Sequence, residues 1–108
     1  MIYELRHYIC CPGRLPALLK RFETQTLAMW KKHGINQVGF WTVQIGEGNN
    51  ELHYMLAWDS LADREKKWNA FQADPEWHKA RADSEKDGPI LAKVNNMMLM
   101  PTAFSAMK

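Results

Sequence analysis

The strongest constraint on the fold is the order in which strand-like and helix-like patterns follow each other along the chain. Residues 2–10 alternate as a strand does, and residues 14–33 repeat apolar side chains at the 3.6-residue spacing of an amphipathic helix. Two further strand patterns, at 35–45 and 51–58, are joined by segment 46–50 (GEGNN), which favours a hairpin turn. The first half of the chain therefore predicts β-α-β-β.

The second half predicts a helical region followed by one more strand. Asp59 or Ser60 is suited to cap the next helix, and Pro75 is suited to the first turn of a further helix over 75–86. An apolar segment at 90–100 then predicts the last strand. The full order, β-α-β-β-α(α)-β, predicts a ferredoxin-like α+β fold. In that fold an antiparallel four-stranded sheet carries its helices on one face.

Both faces of this predicted sheet are apolar, although only one is expected to be covered by helices. Phe40 and Trp41 point to opposite faces of one strand, as do Leu56 and Met55 of the next. An antiparallel sheet with one solvated face usually carries polar residues there, and an exposed apolar face of this size is uncommon in monomers. The chain contains no linker or repeat, so we expect a single domain over residues 1–108 that forms a homodimer.

Charge, hydropathy and cysteine content exclude several classes of protein. A formal net charge of +2 argues against a nucleic-acid partner, because such binding depends on neutralising phosphates. No apolar run is long enough to span a membrane, and the charged residues near the start do not suit a signal peptide. The adjacent Cys10 and Cys11 are poorly placed for a disulfide, which indicates free thiols and a cytoplasmic location.

Several motifs, in order and spread over nearly the whole chain, resemble those of the NIPSNAP family. They are 3–6 (YELR), 12–14 (PGR), 39–41 (GFW), 54–58 (YMLAW), 60–65 (SLADRE), 68–71 (WNAF), 74–77 (DPEW), 84–85 (SE), 87–90 (DGPI) and 101–105 (PTAFS). The resemblance implies a dimeric α+β barrel, in which two ferredoxin-like sheets pack face to face. It implies no particular reaction, because the family includes mitochondrial proteins of trafficking and organelle quality control and many bacterial proteins of unassigned function. The lack of an Arg-rich, Ser-rich transit segment makes the bacterial members the closer comparison.

The residues with the strongest potential for chemistry are aromatic, with a few polar groups among them. Seven of them are predicted to line one ligand pocket between the sheet and the helices: Tyr3, His7, Trp41, Tyr54, Trp58, Trp77 and Arg81. His7 and Tyr54 would form hydrogen bonds there, and Arg81 would bind an acidic or carbonyl end of the ligand. The alternative for each is a place in the core, in a structural ion pair or in the dimer interface.

No metal or cofactor is expected. No two histidines have the i, i+4 helical spacing of a zinc site, no Cys-x-x-Cys pair is present, and the glycines form no nucleotide-binding loop. Glu4 and Arg6 share a face of the first strand, where a structural ion pair or an anion-binding role are both open.

Three functions remain open from the sequence. The first is a dimeric barrel that binds a small, largely apolar ligand, with or without turnover. The second, by analogy with barrels of this architecture, is a cofactor-free monooxygenase or a haem-degrading enzyme. The third is a non-enzymatic protein-interaction module.

Overall fold

Strands and helices follow each other in the predicted order. The computed structural model describes residues 1–108. In chain order the elements are β1 (Ile2–Cys10), α1 (Leu15–Arg21), a π-helical segment (Phe22–Thr26), α2 (Leu27–His33), β2 (Asn36–Thr42), β3 (Glu51–Trp58), α3 (Leu61–Ala73), α4 (Pro75–Ser84) and β4 (Leu91–Leu99). The predicted α+β class and order are confirmed. β2 and α4 each end two or three residues earlier than the sequence pattern indicated.

The four strands form one antiparallel sheet in the order β2-β3-β1-β4. The central β1 pairs with both β3 and β4, so a residue of β1 has a neighbour on each side. A register shift between Gln37 and Gly39 leaves Val38 as an extra residue in β2. No helix has the length and apolar character needed to cross a membrane.

The helices cover one face of the sheet, and side chains capping their first turns fix where they begin. Ser60 Oγ accepts a bond of 3.0 Å from the backbone N–H of Asp63 at the start of α3. Asp74 Oδ1 accepts one of 2.9 Å from Glu76 at the start of α4. α1, the π-helical segment and α2 are consecutive, and the π-helical bond runs from the Leu27 N–H to the Phe22 carbonyl. These helices bury their apolar sides on the sheet.

Aromatic side chains fill the space between the helices and the sheet. The core consists of Tyr8, Cys10, Leu18, Phe22, Met29, Trp30, Ile35, Leu52, Tyr54, Leu56, Trp58, Phe71, Trp77 and Ile90. The Phe22 ring lies 5.3 Å from Tyr54 and 5.5 Å from Trp30 between ring centroids, in edge-to-face contacts. Trp30 Nε1 is buried without an acceptor, although a buried indole N–H usually has one. Cys10 and Cys11 are free, as predicted.

Gly34 ends α2 in the left-handed region, with φ 72° and ψ 26°. A Cβ placed there would make only an ordinary contact of 3.5 Å with the Lys67 side chain, so a larger residue is disfavoured by its backbone conformation and not by crowding. We expect Gly34→Val to lower the free energy of unfolding by about 1–2 kcal/mol, measured by urea denaturation. Gly34→Asn is the control. Its free energy of unfolding should fall less than that of Gly34→Val, because Asn tolerates the left-handed conformation better. Equal losses for both variants would contradict the explanation.

Candidate functional site

The sheet separates the seven residues predicted to line one pocket. Tyr3, His7 and Trp41 lie on the face away from the helices, which we call the open face. Tyr54 and Trp58 lie on the helix-covered face, and Trp77 reaches that core from α4. Arg81 is exposed on α4. The predicted grouping is therefore wrong, because the β1–β3 register pairs Arg6, and not His7, with Tyr54.

A buried carboxylate is the centre of the polar structure on the helix-covered face. Glu4 is 0% exposed. Its oxygens accept bonds from Arg6 at 2.8 Å and from Arg64 at 2.8 and 3.0 Å. They also accept bonds from Trp58 Nε1 at 3.1 Å and Asn96 Nδ2 at 2.9 Å. Five donors thus satisfy one carboxylate, as a buried charge requires.

These contacts lower the pKa of the Glu4 carboxyl. Burial alone would raise the pKa. Hydrogen bonds from Arg64 and Asn96, together with the charge and the hydrogen bond of Arg6, outweigh burial and bring the pKa to about 2. Glu4 is therefore an anion at any physiological pH. It holds the two guanidinium groups in place and has no proton to transfer.

Arg6 links this carboxylate to two phenols. Its Nε donates to Tyr54 Oη at 2.7 Å, and its Nη2 donates to Tyr8 Oη at 3.3 Å. Tyr54 Oη in turn donates to Tyr8 Oη at 2.7 Å. Burial, followed by the neighbouring Tyr8, raises the pKa of Tyr54, so it is a neutral hydrogen-bonding group. The Arg6 guanidinium also lies 4.6 Å from the centroid of the Trp68 ring.

The helices leave the edge strand β4 uncovered beside this cluster. Val94, Asn96 and Met98 pair with Tyr8, Arg6 and Glu4, so they project from the helix-covered face. All three are nevertheless exposed, whereas their partners on β1 are buried. We call Val94, Asn96 and Met98 the β4 shelf. It is an apolar surface with one amide, next to a cluster of two arginines and one carboxylate.

The open face carries a second group of polar side chains, at the end of the sheet next to the β2–β3 turn. His7 pairs with His53, and their rings stack 4.3 Å apart at an angle of 6°. His7 Nε2 forms a hydrogen bond with the carboxylate of Glu51, and His7 Nδ1 lies 3.5 Å from Asn95 Nδ2. Trp41 pairs with His53 from the other side. Together these side chains give one end of the open face a polar character.

Comparison with known proteins identifies the family. The sequence model of the NIPSNAP family matches residues 3–106. This chain belongs to the NIPSNAP family. It is 29% identical over 77 residues to human Protein NipSnap homolog 3A. That match covers 71% of this chain but only 30% of the relative, so the chain spans about a third of the length of this curated relative.

Solved structures place the chain among bacterial NIPSNAP folds. Protein Atu4242 from Agrobacterium tumefaciens is 30% identical, with a TM-score of 0.86 and complete coverage of both chains. A MhuD variant with two manganese protoporphyrin IX molecules bound per active site has the same fold at a TM-score of 0.57, covering 94% of each chain. It is 15% identical, which relates the two proteins by fold alone.

Sequence reasoning found part of each polar group of this NIPSNAP protein. It placed Glu4 and Arg6 on one face and singled out Tyr54 and His7 as hydrogen-bonding residues. It missed Arg64 and Asn96, which are distant in sequence and meet Glu4 only through the fold. The prediction of no metal site rested on the absence of histidine pairs with helical spacing. Histidines that face each other across two strands have no such spacing in the sequence. The sequence placed both histidines in predicted strands, but only the strand register shows that they are partners.

Proposed function

We propose that this NIPSNAP protein is a homodimer in which two open faces pack together as an α+β barrel. We further propose that each subunit binds a small, largely apolar molecule with an acidic or carbonyl group at the β4 shelf. The free adjacent cysteines and the likeness to a bacterial protein support a bacterial, cytoplasmic location. The low net charge supports the absence of a nucleic-acid partner.

The dimer is supported by the apolar surface that one chain leaves bare. On the open face, Leu5 lies between Met55 and Met97, and Met97 is 57% exposed. Beyond β4, the side chain of Phe104 is 89% exposed in the C-terminal segment. A second copy offers the same apolar face and can cover both surfaces by two-fold symmetry, without any further component.

The ligand is supported by one observation above all, the charge imbalance beside the β4 shelf. Arg6 and Arg64 carry two positive charges, and Glu4 supplies one negative charge between them. A partly buried site with one uncompensated positive charge favours an anion or a polarised carbonyl oxygen. Val94 and Met98 offer an apolar surface for the remainder of the molecule. The predicted site between sheet and helices is filled by the core, so the proposed ligand lies at its edge.

The filled core and the open face also bear on the enzymatic and interaction-module alternatives. The filled core argues against a haem-sized molecule lying between the layers, and the likeness to MhuD supports only the fold. The exposed apolar residues of the open face and Phe104 could also bind a different protein, which is the role of an interaction module. A monomer in solution with a folded core would therefore favour the interaction module.

The ligand proposal predicts a preference for acids that depends on Arg64. We expect decanoate or 2-naphthoate to raise the melting temperature of the protein, and the matched alcohols to do so much less, because only the acids can pair with the guanidinium groups. In Arg64→Gln the acid should raise the melting temperature no more than the matched alcohol does. Thermal-shift measurements on the same panel, with haem and quinones included, also test the enzymatic alternative.

The matched control for this experiment is Lys66→Gln, which removes one positive charge from an exposed position of the same helix. It should keep the full preference for acids. Equal shifts for acid and alcohol in the wild-type protein, or an equal loss in the two variants, would contradict the proposed site.

A further inference from the structure

The pair of stacked histidines on the open face is a consequence of strand register. His7 of β1 and His53 of β3 are direct partners in the antiparallel sheet, so both side chains leave the same face side by side. Their rings are nearly parallel, with centroids 4.3 Å apart. The lone pairs of parallel imidazoles run side by side, so the two rings would share one ion after tilting towards each other.

Glu51 completes the group from the same strand as His53. It lies two residues before His53, so its side chain projects from the same face, and it accepts a hydrogen bond from His7 Nε2. One donor atom from each of His7, Glu51 and His53 lies within 4.8 Å of those of the other two. In the single chain the side chains of His7 and Glu51 are 27% and 20% exposed, so their donor atoms are reachable from solvent before a second copy covers the open face.

Gly48 leaves room for the carboxylate. It has a φ of 80°, and a Cβ at this position would overlap the carboxylate of Glu51. The β2–β3 turn is thus shaped so that the Glu51 side chain can bend towards His7. Glycine serves both requirements here, the left-handed backbone and the close approach.

We propose that His7, His53 and Glu51 bind one first-row divalent transition-metal ion such as Zn²⁺. Neutral imidazole nitrogens and one carboxylate suit zinc and its neighbours, whereas magnesium and calcium prefer oxygen ligands alone. Three protein ligands leave at least one coordination position for water or an exogenous group. The side-chain amide of Asn95 lies near His7 Nδ1, and with its oxygen turned to that atom it would accept the Nδ1–H of a metal-binding imidazole and fix the ring orientation.

This site is independent of the proposed ligand site. All three ligands come from one chain and lie on the opposite face of the sheet from Glu4 and the β4 shelf. The metal site can therefore be present whether or not an acid binds at the shelf. Because the two sites share no residue, failure of one proposal does not imply failure of the other.

The test is titration of the untagged protein with zinc sulfate, after treatment with a chelator and removal of the chelator. We expect calorimetry to give one zinc ion per chain. Affinity should fall at least about tenfold in each of His7→Asn, Glu51→Gln and His53→Gln. His78→Gln is the matched control, because His78 is exposed on α4 and belongs to no such group. This control should bind zinc as the wild type does.

A second readout locates the ion. Trp41 is 51% exposed and lies opposite His53, whereas the other four tryptophans are buried or half-buried in the helix layer and core. Nickel sulfate should quench tryptophan fluorescence in the wild-type protein and not in His53→Gln, with circular dichroism confirming that the variant is folded. The proposal is overturned if zinc does not bind at micromolar concentration, or if His78→Gln loses as much affinity as His53→Gln. Either result would leave His7 and Glu51 as a structural hydrogen-bonded pair only.

Discussion

Replacing Glu4 with glutamine should lower the free energy of unfolding by about 3–5 kcal/mol, the loss typical of breaking a buried ion pair by removing one partner. The variant leaves Arg6 buried without its carboxylate and gives Trp58 and Asn96 a weaker acceptor. Urea denaturation of Glu4→Gln against the wild-type protein measures the difference. Glu65→Gln, on the exposed side of α3, is the matched control and should change stability by less than about 0.5 kcal/mol.

The same residue should dominate the acid sensitivity of the fold. The pKa of Glu4 is about 2 in the folded protein against an ordinary value of 4.5, so the unfolded chain binds this proton more readily. The difference in pKa contributes about 3 kcal/mol to the free energy of unfolding. This contribution is complete above about pH 4.5 and is lost as the pH falls towards 2. Glu4→Gln should therefore show a flatter dependence of stability on pH over this range, and an unchanged slope would contradict the assignment.

Substitution of Met97 by aspartate should abolish both dimerisation and folding at micromolar concentration. Met97 lies on the open face, where the proposed second copy would bury an unpaired carboxylate at a cost of several kcal/mol. An obligate dimer has no stable folded monomer, so dissociation and unfolding should occur in one transition. Analytical ultracentrifugation and circular dichroism on the same samples follow the two events.

Leu61→Asp provides the matched control for the dimer. Leu61 is 63% exposed, close to Met97 at 57%, but it lies in the first turn of α3. An acidic residue there is favoured by the helix dipole, so this variant should stay folded and dimeric. A well-folded wild-type monomer at micromolar concentration would contradict the dimer, and a folded, dimeric Met97→Asp would contradict the choice of face.

The sequence was sufficient for the elements and their order because these depend on local patterns. Alternation over residues 2–10 and the apolar repeat over 14–33 each describe one element, and turn residues mark where it stops. The family followed from motifs spread over the chain, and the family match to residues 3–106 agrees with it. The π-helical turn at Phe22–Thr26 was not predicted, since the apolar spacing of α-helical and π-helical turns differs by only one residue.

The assembly of the polar groups depended on the tertiary structure. Alternation tells which residues of one strand share a face, so it grouped Glu4 with Arg6 and Tyr3 with His7. It does not tell which face of β1 matches which face of β3, because both faces of both strands are apolar enough to be buried. A one-residue change of register exchanges every neighbour. The observed register joins Arg6 to Tyr54 and His7 to His53, and only the packing of the helices decides that the first pair is buried and the second half-exposed.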